Sequence, residues 1–247
     1  IVTLNSCDPI NGVDVESYDN ETDLLLAWQK IIIKEDPDII TGYNIFGFDE
    51  VYIRDRVKLL NVKNFGIFSR IKEQSKFKEL KLTSSALGDN KLKYYNTIGR
   101  VKIDLFKVVQ RDYKLKSYKL DSVAEHFLSG NIKSFNKNKL IIKGVKELLI
   151  GNYIKIIVDG SPINDGEKFK IINITDDEIE INKELSIDEY RFMKWALSKD
   201  DVHATDIFRL QKGSSSDRAI VAKYCIQDCC LVNKLMARLC IITNNIG

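Results

Sequence analysis

The stretch that most limits the possible folds is residues 36–57, DPDIITGYNIFGFDEVYIRDRV. Asp36-Pro37-Asp38 reads as a helix stop and turn, because proline disfavours helix for the residue before it. Ile39-Ile40-Thr41 then reads as a short buried strand, apolar and β-branched. Gly42 ends it, with Tyr43 and Asn44 at its carboxyl end. From about Phe48 the pattern turns helical, with Val51, Ile53, Val57 and Leu60 available for a buried face. A buried strand running into a helix predicts an α/β fold and puts Asp49 in the first helical turn. In open α/β sheets that crevice is where ligands bind. A carboxylate there also suits the helix dipole, so Asp49 alone names no function.

Upstream, Ile1–Ser6 and Gly12–Tyr18 read as strands, with Asp8-Pro9 and Asn11-Gly12 as turn signals. Asn20 caps a helix running to about Glu35, with Asp23 three residues on. Its Leu24, Leu25, Trp28, Ile31 and Ile32 recur at helical spacing. From Asn64 to Asn90 periodicity is lost, which predicts a long surface loop with at most a hairpin. Lys91–Asp104 reads as two extended pieces, and helices follow over Leu105–Tyr113 and Ser117–Leu128. The composition then shifts. Tyr153–Val158, Phe169–Ile174 and Glu178–Ile181 are short strand candidates, which predicts a small antiparallel barrel or meander over 131–187. A helix is expected over 187–198, a further turn at Asp206–Leu210, and a long final helix over Asp217–Thr243 capped by Ser214 or Ser215.

A chain of 247 residues can bury one good core plus a small subdomain. No run of about 18 apolar residues occurs, so no transmembrane helix is expected, and no signal peptide is visible. The chain starts at Ile1, which reads as a piece of a longer polypeptide. Its five cysteines are odd in number and four of them crowd near the end, which argues against a disulfide scaffold. Neither of the two histidines stands in a zinc spacing, so the thiols are expected to fill core space. Net charge is only +3, yet residues 54–119 hold 18 Lys/Arg against 6 Asp/Glu. That local excess suits a polyanionic partner or, equally, a solvated lysine-rich surface.

The last helix carries Tyr224-Cys225-Ile226-Gln227-Asp228. Tyr224 and Asp228 are four residues apart and share a face. A phenol beside a carboxylate can hold a water between a metal and a phosphorus; the same pair is also ordinary on a half-exposed helix. GYNIFGFDEVYI resembles the second exonuclease motif of family B DNA polymerases, and YCIQDCCLVNKL resembles their third, Tyr-x-x-x-Asp. GRVKIDLFKVVQRDYKLKSYKLDSVAEHFL is similar to the segment between these motifs in delta-type polymerases and those of nucleocytoplasmic large DNA viruses. The resemblance takes in nearly everything except about 131–187. It implies a ribonuclease H-like mixed sheet with flanking helices, lacking its first strand or strands, plus a small antiparallel β insertion. The implied organisation is an exonuclease core over 1–130 and 188–247, interrupted by a β subdomain over 131–187.

The resemblance implies a 3′–5′ proofreading exonuclease in which four carboxylates bind two Mg²⁺ or Mn²⁺ ions. Asp49 and Asp228 match two of those carboxylates, and Tyr224 matches a tyrosine that orients the attacking water. Asn44 and Phe48 fall at positions near the DNA. The implied partners are DNA, as a single-stranded 3′ end or primer–template, and the remainder of the polymerase chain. The implied location is intracellular, in a host nucleus or viral factory. The family's first motif, Asp-x-Glu, has no good counterpart, because Asp14-Val15-Glu16 sits on what look like later antiparallel strands. This chain alone is therefore expected to be inactive. Asp104 is expected to be a cap or turn residue, and Asp112 and Asp121 helix-end and cap residues. The run Arg111–Lys119 either touches DNA phosphates or is solvated. Two other function classes fit the sequence: a non-catalytic DNA-binding or scaffolding module, and a stand-alone exonuclease.

Overall fold

The computed structural model describes residues 1–84, 88–143, 145, 148–199 and 204–246. It is a mixed α/β structure with one large antiparallel sheet and helices, in two compact units: residues 1–115 with 202–226, and residues 116–201 with 227–247.

The first unit opens with β1 (Val2–Leu4) and β2 (Glu16–Tyr18), followed by α1 (Glu21–Glu35). Asn20 caps α1 as its sequence predicts: Asn20 Oδ1 accepts the Asp23 N–H at 2.9 Å, and Asn20 Nδ2 donates to Asp23 Oδ2 at 2.7 Å. β1 and β2 run parallel, not antiparallel as their turn signals imply. Two reversals restore the chain's direction. One is the Ile10–Val13 bridge, turning at Gly12 with φ 74°; Asn5–Pro9 supplies the other.

Next come β3 (Ile39–Gly42), α2 (Asp49–Leu59), the hairpin of β4 (Phe77–Ser84) and β5 (Gly88–Tyr95), β6 (Val101–Asp104) and α3 (Leu105–Asp112). β3 pairs in parallel with β6 and, among the described residues, with nothing else. Its residues are therefore half-buried where the sequence implies full burial. Leu25, Val62, Phe65, Phe68 and Tyr95 form the core, with Trp28, Ile53, Val57 and Phe77 packed against it. Trp28 stands edge-on to Phe68 at 5.7 Å.

The stretch after Asn64 is not a loose surface loop, because Phe65 and Phe68 are core residues. Buried Gln29 ties it to α1: its Oε1 accepts the N–H groups of Gly66 (2.6 Å) and Ile67 (2.9 Å), and its Nε2 donates to Asn64 O (3.1 Å). The five arginines of 54–119 are all ion-paired: Arg54 to Asp55 and Glu79, Arg56 to Glu21, Arg70 to Asp36 and Asp38, Arg100 to Asp36, and Arg111 to Asp112.

The second unit begins with α4 (Leu120–Phe127), whose Val123 and Ala124 are fully buried. Then follow β7 (Ser129–Asn136), β8 (Lys139–Ile142), β9 (Tyr153–Val158), β10 (Ser161–Pro162), β11 (Lys168–Ile174), β12 (Glu178–Ile181) and β13 (Met193–Ser198). β9, β11, β12, β8, β7 and β13 each pair antiparallel with the next, and β13 pairs back onto β9. Six strands thus close into a barrel with an interior of Leu140, Ile142, Ile154, Ile156, Phe169, Ile171, Ile179, Ile181 and Trp195. The helix expected over 187–198 is in fact the closing strand. Burying Met193, Trp195 and Leu197 at period two satisfies β13 on both edges. Trp195 lies on Gly130, where a Cβ would come within 2.8 Å of the indole nitrogen.

The remaining helices are α5 (Ala204–Gln211) in the first unit, α6 (Ser215–Arg238), which begins in the first and ends in the second, and α7 (Ile241–Ile246) in the second. The single helix expected to Thr243 is broken at Cys240, which has φ 49°. Ser214 caps α6, accepting the Asp217 N–H at 3.2 Å. The cysteines do not fill the core: Cys225, Cys229, Cys230 and Cys240 are exposed and Cys7 is half-buried. No described helix is long and apolar enough to cross a membrane.

Candidate active site

The site is built where β3 and β6 end side by side, with Gly42 opposite Asp104. Asp104 is 2% exposed, and its carboxylate receives three backbone donors. Asn44 N–H reaches it at 2.7 Å and Phe46 N–H at 3.1 Å; Phe106 N–H, at 3.1 Å, makes it the N-cap of α3. The cap role agrees with the sequence. The grip on the 44–46 loop comes from 58 to 60 residues away. Burial pushes the Asp104 pKa up, while the three donors pull it down.

Held this way, the chain turns tightly. Asn44 adopts φ 60°, and its carbonyl accepts the N–H groups of Gly47 and Phe48 at 3.1 and 3.0 Å. Two glycines allow close packing of neighbouring side chains in the turn. A Cβ on Gly42 would stand 2.4 Å from Ile45 Cγ2, and one on Gly47 would stand 2.3 Å from Asn44 Oδ1. The Asn44 side chain thus lies against the Gly47 backbone inside the turn.

Asp49 is the first residue of α2 and is exposed. A carboxylate stabilised by a helix dipole would have a lowered pKa. That of Asp49 is raised, first by the partial desolvation of its surroundings and then by the negative charges of Asp104 and Glu50. This environment disfavours the ionised form, although the backbone N–H of Asp49 itself favours it. Beside it, Phe48 (64% exposed) stacks on Tyr52 (56% exposed), with ring centroids 6.1 Å apart and planes 8° from parallel.

Glu50 points the other way. It is buried, accepts the Tyr95 N–H at 2.9 Å and forms an ion pair with the equally buried Lys102 of β6. The pair locks the first turn of α2 to the sheet, and so sets where Asp49 stands. In sequence, Glu50 is one more acid at a helix start. Its only distinguishing signal is a lysine inside a four-residue strand that reads as buried.

Tyr224 and Asp228 lie one turn apart on α6, both half-buried, and Asp228 Oδ2 is 3.7 Å from Lys199 Nζ. Tyr224 belongs to the first unit with Asp49, and Asp228 to the second. Near the start of the chain the N-terminus donates to the Asp14 carbonyl and the Tyr18 hydroxyl to Glu16 Oε2, each at 2.7 Å. Among the described residues no group of three or more His, Cys, Asp or Glu side chains is arranged to hold a metal ion. Asp104, the carboxylate coupled to Asp49, is already taken up by backbone donors.

The family profile "DNA polymerase family B, exonuclease domain" matches residues 1–123, about half of the chain. The chain belongs to the family B DNA polymerases. It is 47% identical over 249 residues to the DNA polymerase of Pyramimonas orientalis virus, covering all of this chain and 20% of that protein. It is 33% identical over 245 residues to the DNA polymerase delta catalytic subunit of Oryza sativa subsp. japonica, covering 99% of this chain and 16% of that one. It is 29% identical over 374 residues to the DNA polymerase of Acanthamoeba polyphaga mimivirus, covering 100% and 21%. The chain spans about a fifth of the length of these family B polymerases.

Proposed function

We propose that this chain is the 3′–5′ proofreading exonuclease portion of a replicative family B DNA polymerase, with a ribonuclease H-like core. Its substrate is the single-stranded 3′ end of a primer. Asp49 and Asp228 are metal ligands in the intact enzyme, Tyr224 orients the attacking water, and Phe48 stacks on a base in the turn shaped by Asn44. The observation that carries this reading is the exposed Asp49 in the first turn of α2, beside an exposed aromatic stack after the carboxyl end of β3. Two carboxylates hold a metal pair poorly, and the reading therefore includes that the chain alone is inactive.

The test uses the intact polymerase. Asp49→Ala and Asp228→Ala are each expected to abolish removal of a mispaired 3′ nucleotide while leaving DNA synthesis intact; unchanged excision in both overturns the proposal. The 247-residue chain with Mg²⁺ or Mn²⁺ is expected to leave a single strand at full length. Shortening from the 3′ end would refute its inactivity alone. A non-catalytic DNA-binding or scaffolding role draws on the hairpin, where Lys81 faces Lys91. Like charges set opposite destabilise a strand pair and are relieved by a polyanion. That role becomes the better reading if excision survives both substitutions.

A further inference from the structure

The barrel presents a surface that the exonuclease proposal does not use. Across β13 and β7, Met193 faces Ile132 and Lys194 faces Asn131. Met193 and Ile132 are buried inside. Strand alternation therefore puts Asn131, Lys133 and Lys194 on the outer wall, with Phe192 just before β13, and all four are exposed. Lys194 Nζ stands 5.7 Å from the centre of the Phe192 ring, which is 47% exposed. Two residues earlier, Tyr190 is 38% exposed, its ring 5.9 Å from Phe135. Arg191 is exposed between the two aromatics. Together with Lys133, these residues line an open groove of about 490 Å³.

The groove's lining holds three cations and, among the described residues, no carboxylate. Asp159 holds the segment in place: its Oδ1 accepts the N–H groups of Arg191 at 3.1 Å and Phe192 at 3.0 Å. Asp188 and Glu189 line an adjoining cavity with Asp159, which Tyr190 and Arg191 also border, so the cations that face only the groove are Lys133 and Lys194.

Exposed rings alternating with cations match a polymer whose charge lies on its backbone and whose flat apolar faces are bare. A duplex buries those faces, and an acidic protein lacks them. We propose that the outer wall of the barrel at Lys133, Tyr190, Arg191, Phe192 and Lys194 binds single-stranded nucleic acid, stacking bases on Phe192 and Tyr190 and pairing phosphates with the cations. This is a second binding surface, separate in the chain from Asp49.

The test is fluorescence anisotropy of the 247-residue chain with a labelled oligothymidylate of about 15 nucleotides. EDTA is present so that hydrolysis and the exonuclease reading play no part. Phe192→Ala is expected to weaken binding about tenfold. Lys133→Glu with Lys194→Glu is expected to flatten the log–log salt slope by about 1.4, or ~0.7 per cation lost. Both changes are on exposed side chains, and an unaltered Trp195 emission spectrum confirms that the barrel is intact. Oligouridylate in a parallel arm identifies whether DNA or RNA is preferred, and tighter binding of either supports the site. Parent-like affinity and salt slope in both variants overturn the proposal, as does competition by a duplex of the same length on equal terms.

Discussion

Asp104 takes three backbone N–H donors on two oxygens, and an amide in its place keeps only one acceptor oxygen. Asp104→Asn is expected to destabilise the first unit by about 1–3 kcal/mol. Hydrogen exchange would show it locally, as lost protection of the Asn44 and Phe46 amides. Asp49 gives the opposite result. Its pKa is raised in the folded chain. An acid of this kind favours the native state only while protonated, and that contribution is lost as pH rises through the folded pKa. Asp49→Asn is therefore expected to raise stability at pH 7. The gain should shrink to nothing below the ordinary aspartate value of about 3.9. Urea unfolding of both proteins across that range checks the sign, and a gain that grows on acidification refutes it. At this scale the sequence shows the place of Asp49 at the start of α2 and the cap role of Asp104, because both follow from neighbours a few residues away. The grip of Asp104 on the turn is not legible, because it joins residues 60 apart.

Among the elements, the junction of α2 with β6 rests on the buried Glu50–Lys102 pair. Lys102→Met leaves a buried carboxylate without its cation and is expected to cost about 3–5 kcal/mol. Adding Glu50→Gln removes the stranded charge and keeps an acceptor for the Tyr95 N–H, so the double variant is expected to recover much of the loss. A double variant no more stable than Lys102→Met would show that the pair is not what locks the junction. β13 shows where reading elements from sequence fails. Tyr190, Met193, Trp195 and Leu197 can be fitted to a helix, yet Met193, Trp195 and Leu197 alternate strictly. What decides between the two is the pair of open barrel edges that β13 fills, and these belong to strands whose paired residues are as much as 67 positions away. β9, β11 and β12 are legible because turn residues bracket each of them. The parallel pairing of β1 and β2 is not, since turn signals show reversals but not their sum.

For the molecule as a whole, charge is segregated more finely than composition shows. The arginines of the basic segment are all held in ion pairs, and the cations of its hairpin are Lys78, Lys81, Lys91 and Lys93. The two compact units also answer differently to substitution. Gly130→Val would drive a side chain into buried Trp195 and is expected to destabilise the barrel by about 1–3 kcal/mol, with the Asp49 turn unaffected. The chain's two tryptophans make this measurable. Trp28 belongs to the first unit and is half-buried, while Trp195 belongs to the second and is 2% exposed. Each unit therefore carries its own intrinsic optical label, and the barrel's should emit at the shorter wavelength. Trp28→Phe and Trp195→Phe would silence one label at a time, so melting of either half could be followed without attaching a dye.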